Sequence, residues 1–91
     1  MMDQEPFRYQ PSCAVHDCQE PARYKIAAPW SNGQVRELKN YGLACEGHRN
    51  DLLNRARTQR STLVLSEGET VGQIEVYHLE AGKRDADLAQ V

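Results

Sequence analysis

Apolar and polar residues alternate over residues 22–29, with Tyr24, Ile26 and Ala28 on one side. This is the period-two pattern of a half-buried strand. Ser31-Asn32-Gly33 follows, and Asn and Gly tolerate the positive φ of a tight hairpin turn. Residues 34–44 alternate again through Val35, Arg36, Tyr41 and Leu43. The two runs predict a β-hairpin kinked near Gly42. Over residues 46–60 the period changes. They contain no proline and no β-branched residue before Thr58, and Cys45, His48, Leu52, Ala56 and Gln59 recur at spacings of three and four. That pattern is one face of a helix. Glu46 and Asp51 stand early in it and the arginines late, as the helix dipole favours.

Residues 61–66 predict a short strand and residues 67–69 a turn. Residues 71–79 predict a returning strand, with Ile74, Val76 and His78 on one side and Glu75, Tyr77 and Leu79 on the other. The pair reads as a second β-hairpin in which Leu63, Val64, Leu65, Ile74 and Val76 extend a small core against the helix. Its strand edge is a place where a partner or a second copy could pair. Residues 1–12 hold two prolines and no period. They predict a flexible arm that packs Phe7 or Tyr9 onto the domain. Residues 81–91 are charged and weakly apolar, which predicts a disordered tail. The expected organisation is an arm over 1–12, a main domain over 13–60, a hairpin over 61–80 packed on it, and a tail over 81–91.

Composition adds a constraint. Ninety-one residues allow one small domain. Hydrophobic residues make up 40% of the chain, but nine of them are alanine and three are cysteine. So thin a core calls for a staple. No apolar run approaches the roughly 20 residues of a membrane span. The polar N-terminus lacks the basic start and apolar centre of a signal peptide. The expectation is a cytoplasmic protein without membrane association, whose thiols stay reduced. An odd number of cysteines, three, argues further against a disulfide framework.

A metal ion can be that staple. The sequence holds Cys13-x4-Cys18 and, after 26 intervening residues, Cys45-x2-His48. A structural zinc site takes four sulfur or nitrogen ligands at tetrahedral corners. One tight turn supplies two of them cheaply, and a hairpin can return the chain to supply the rest. Cys45 and His48 suit a helix start, where positions three apart face the same way and free backbone N–H groups favour a thiolate. Three thiolates and one Zn²⁺ leave a net charge of −1, which Arg23, Lys25 or Arg49 could offset. His16 competes, because Cys13-x2-His16 also has ligand spacing. The competing set, Cys13, His16, Cys45 and His48, would leave a good thiolate ligand, Cys18, unused. His78 is a remoter candidate.

The sequence of ligand turn, hairpin and helix resembles a treble-clef zinc finger. The resemblance rests on Cys13, Cys18, Cys45 and His48, with Pro21-Ala22 after the first turn, and spans residues 13–60. Its first pair is spaced by four residues rather than the commoner two, and one ligand is His rather than Cys. The resemblance implies a treble-clef-like core, and with the second hairpin, which is not part of it, the expected fold class is small α+β. The resemblance also implies one structural Zn²⁺ and a role in nucleic-acid or protein binding.

Four ligands leave no open position for catalysis, and no recognisable motif places a general base. The chain reads as a non-enzyme. Release of zinc on thiol oxidation is a further reading. The net charge is −2, yet residues 20–60 carry eight basic and four acidic side chains, and residues 61–91 two basic and six acidic. Arg49, Arg55, Arg57 and Arg60 could form a phosphate-binding face with Arg36 and Lys39, while Tyr24, Trp30 or Tyr41 stacks on unpaired bases. Trp30 beside Pro29 is the most suggestive aromatic for any interface. The near-neutral total favours a protein-interaction or adaptor module, monomeric or weakly homodimeric, with a nucleic-acid-binding finger as the alternative.

Overall fold

Tyr24, Ile26 and Ala28 are buried from the centre of an antiparallel sheet. The computed structural model describes residues 11–80, 82–84 and 87–91, so the packing expected of Phe7 or Tyr9 lies outside the described residues. Strand β1 spans Tyr24–Ser31 and β2 spans Arg36–Ala44. Asn32 closes the hairpin between them: its N–H donates to the Val35 carbonyl (3.2 Å) and its Oδ1 accepts from the N–H groups of Gln34 and Val35. Gly33 takes the positive φ, 93°, that this turn requires.

The expected kink at Gly42 is a β-bulge. Ile26 pairs with Gly42 but Ala27 with Asn40. Tyr41 is thereby the extra residue, and Gly42 sits at φ 150°. The helix α1 spans Arg49–Ser61, preceded by a single 3-10 turn over Glu46–His48. Leu52 and Ala56 of its predicted inner face are buried, whereas Gln59 is exposed. The core gathers Cys13, Tyr24, Ile26, Ala28, Ala44, Cys45, Leu52, Ala56 and Ile74. Alternation puts Ala27 and Tyr77 on the opposite face of the sheet, and both are buried there.

The second hairpin does not form. Residues 61–66 contain no strand, and β3 (Thr70–Val71) and β4 (Glu75–His78) both pair antiparallel with β1. The turn itself is present, with the Glu69 N–H donating to the Ser66 carbonyl (3.0 Å). Pairing with β1 satisfies the second edge of a buried strand, which a self-contained hairpin would leave bare. Ile74 accordingly joins the core, while Val64 and Leu65 are exposed. The tail also differs from expectation. Among its described residues, the Ala89 carbonyl accepts from the His78 N–H (2.8 Å) and the Val91 N–H donates to the Val76 carbonyl (2.8 Å). The chain end thus runs along β4 as a further partner. The described residues form a small α+β fold: a four-stranded antiparallel sheet and one α-helix. Among the described residues no helix is long and apolar enough to cross a membrane.

Candidate metal centre

Residues 12–22 fold into a short looped hairpin. Ser12 bridges Pro21, the Cys13 N–H donates to the Glu20 carbonyl (2.9 Å), and the Ala22 N–H donates to the Pro11 carbonyl (2.9 Å). At its tip the Cys18 N–H donates to the Val15 carbonyl (3.0 Å), and Asp17 adopts a left-handed φ of 65°. A non-glycine residue in that region reverses the chain sharply. The reversal carries Cys18 back beside Cys13. The Ala14 N–H donates to the Leu43 carbonyl (2.9 Å), which ties this loop to the end of β2, two residues before Cys45.

The second pair comes from the chain leaving β2. Cys45 follows the buried Ala44, and its carbonyl accepts from the His48 N–H (3.3 Å) in the 3-10 turn. That turn brings Cys45 Sγ to 3.2 Å from His48 Nδ1. Cys13 Sγ lies 3.6 Å from the same nitrogen, and Cys18 Sγ lies 3.9 Å from Cys45 Sγ. All four donor atoms fall within 4.8 Å of one another. A tetrahedral ion with metal–sulfur bonds of about 2.3 Å and a metal–nitrogen bond of about 2.0 Å spaces its ligand atoms roughly 3.5–3.8 Å apart. A cluster of this size could hold one metal ion. Its donors are all sulfur and nitrogen.

Burial pushes the Cys13 thiol up, but hydrogen bonds from the backbone at Val15 and Cys45, with the side chains of His48 and Cys45, outweigh it. They bring Cys13 down to about 7. Cys18 moves the other way. A backbone hydrogen bond at Glu20 lowers it, yet burial and the neighbouring sulfurs of Cys45 and Cys13 leave it above an ordinary thiol.

His16 is outside the cluster: it is exposed, and its Nε2 lies 3.4 Å from Asp17 Oδ2. His78 also stands apart, its ring 5.7 Å from that of Tyr24. Residues flanking the ligands form a support that the sequence did not announce. The Tyr24 hydroxyl donates to Glu46 Oε1 (2.8 Å), and the Arg49 guanidinium lies 5.0 Å from the Tyr24 ring centre. Two residues adjacent to ligands, Glu46 and Arg49, are thus anchored to one buried tyrosine of β1. Their positions beside Cys45 and His48 were the available signal.

The candidate contact residues are scattered. Arg60 faces inward: its Nε donates to the Gly72 carbonyl (2.6 Å) and its Nη2 to the Val71 carbonyl (3.0 Å). Arg55 and Arg57 are exposed, but two helical positions apart they point to opposite sides. Lys39 sits 5.8 Å from the Tyr41 ring centre. Trp30 is half-buried, and its indole N–H donates to Glu69 Oε2 (2.9 Å). Beside it an open groove of about 390 Å³ is lined by Pro29, Trp30, Arg36, Glu37 and Val71, among others. Comparison with known proteins finds no family model, no curated protein and no solved structure that matches this chain.

Proposed function

We propose that the chain is a small protein-interaction module stapled by one structural zinc ion. The observation that carries this reading is the convergence of Cys13, Cys18, Cys45 and His48 from two distant segments. A sulfur- and nitrogen-only donor set favours zinc over the hard, oxygen-seeking cations. The ligand loop, hairpin and helix start would then form a treble-clef-like core. Four protein donors close a tetrahedron and leave no position for substrate, so the ion's part is architectural rather than catalytic. Cys13 and Cys18 would hold the loop to the sheet, while Cys45 and His48 would fix the entry angle of α1.

Protein binding is favoured over nucleic-acid binding by the fate of the basic residues. A phosphate-reading face needs several free cations on one side. Arg60 is spent on backbone carbonyls, Arg49 packs on Tyr24, and Arg55 and Arg57 diverge.

Elemental analysis combined with amide NMR before and after a strong chelator tests the reading. One zinc per chain, with dispersion lost on chelation, is the expected result. A dispersed spectrum from zinc-free protein would sink it. Retention on immobilised DNA or RNA at low salt, abolished by added salt, would instead select the nucleic-acid alternative.

A further inference from the structure

The sheet has two edges, and they are treated differently. Along the β3–β4 edge, Arg60 covers the carbonyls of Val71 and Gly72, and residues 89–91 pair with β4. The edge that the sequence suggested for a partner is therefore already covered. On the other side, β2 pairs with β1 and, among the described residues, with no other strand. Its Leu43 carbonyl is taken by Ala14. Among the described residues, nothing pairs with the outer edge of β2 over residues 36–40.

The orientation of that edge follows from Pro29. Its carbonyl accepts from the Gly72 N–H (2.8 Å), so that carbonyl faces β3 rather than β2. Leu38 lies directly opposite Pro29 in β2. It therefore belongs to a non-hydrogen-bonded pair, and its own N–H and C=O point outward. The Asn32–Val35 bond at the hairpin turn gives the same parity. With a period of two, Arg36, Leu38 and Asn40 all present outward backbone groups.

We propose that this edge pairs antiparallel with the same edge of a second copy, about a two-fold axis at Leu38. The proposal deepens the protein-binding reading above, and rests on it, by naming the partner. In this register Arg36 exchanges backbone hydrogen bonds with Asn40 of the second copy, and Leu38 with its own counterpart. Glu37 then stands opposite Lys39 of the second copy, and Lys39 opposite Glu37. These are non-hydrogen-bonded positions, where side chains approach most closely. Charge selects the register. A slip of two residues preserves the hydrogen-bond parity but sets Glu37 against Glu37, or Lys39 against Lys39. Like charges directly opposite are unfavourable. The same charges blunt the edge towards strands that do not complement them. So short a ladder belongs to the small, transient class of interfaces, so the dimer is concentration-dependent.

Sedimentation equilibrium of the full, zinc-loaded chain from micromolar to millimolar concentration tests this. A reversible dimer is expected. Leu38→Pro removes the central outward N–H without touching the β1–β2 ladder, and should give a monomer with an unchanged circular dichroism spectrum. Glu37→Lys should weaken the dimer roughly tenfold or more by opposing like charges, and the double variant E37K/K39E should restore it. A wild-type monomer at millimolar concentration, a dimer indifferent to Leu38→Pro, or a double variant no tighter than Glu37→Lys would each overturn the pairing. Zinc content of the same samples keeps the two readings apart. Monomeric protein with one zinc overturns the edge pairing alone, and dimeric protein without zinc overturns the zinc staple alone.

Discussion

Cys13 Sγ stands 3.6 Å from His48 Nδ1 although 35 positions separate them in the chain. One ends the approach to the ligand loop and the other precedes α1, so an ion between them would hold the hairpin ends to the helix. Structural zinc contributes roughly 10–16 kcal/mol of apparent binding free energy. Cys18→Ser or Cys45→Ser should therefore lose the ion and the folded state of residues 13–60. The loss would be read by zinc stoichiometry and amide dispersion. His16→Ala should leave both unchanged, since His16 is exposed and outside the cluster. A Cys18→Ser protein that folds and keeps its zinc would refute this ligand set.

Glu69 ties the loop after α1 to the hairpin tip. Its Oε1 accepts from the Ser66 N–H (2.6 Å) and its Oε2 from the Trp30 indole (2.9 Å). The Ser66 backbone bond first, and then the Trp30 bond, hold its carboxyl below the ordinary value of 4.5. The folded pKa is depressed, so the stabilisation is complete above 4.5 and is lost as pH falls through the lower folded value. Trp30 is the chain's one tryptophan, so the tryptophan emission comes from the side chain that makes this contact. Glu69→Gln should shift Trp30 emission at neutral pH towards that of a more solvated indole and remove the acid-side change. Identical emission and an identical acid titration in the variant would refute the strap.

Arg60 is a structural clamp, and its substitution should register as stability. Hydrogen bonds from a charged donor contribute more than neutral ones. Arg60→Ala should cost about 1–3 kcal/mol in urea denaturation. Arg60→Lys should recover only part, because an ammonium lacks the planar fork that reaches both carbonyls. Unchanged stability in Arg60→Ala would contradict the clamp.

Gly42 lies at φ 150°, with only the Ala14 Cβ, at 4.0 Å, near the position a side chain would take. Space is therefore not the constraint; backbone conformation is. Gly42→Ala should destabilise by about 1–3 kcal/mol while zinc still binds at one per chain. A urea midpoint equal to wild type would show that the bulge tolerates L-residues.

The ligand spacing, the first hairpin and the helix were legible because each is a local pattern. Cys45 and His48 are three apart, and Tyr24, Ile26 and Ala28 alternate. The Ser31-Asn32-Gly33 turn carries its own chemistry. In the sequence only thiolate affinity favours Cys18 over His16, and the left-handed turn at Asp17 is what brings Cys18 to the cluster. Residues 61–66 were apolar enough for a strand, but β strength in a segment says nothing of which edge it will find.

By itself, then, the sequence determined the candidate donors, the hairpin with its kink near Gly42, the helix and the order in which they occur. Tertiary structure alone decided that β3 and β4 join β1, that Arg60 and residues 89–91 cover one edge, and that among the described residues nothing pairs with the outer edge of β2 over 36–40. Period and spacing report which side of an element is apolar. They do not report which distant backbone will satisfy its hydrogen bonds, because that depends on where the rest of the chain has already been placed.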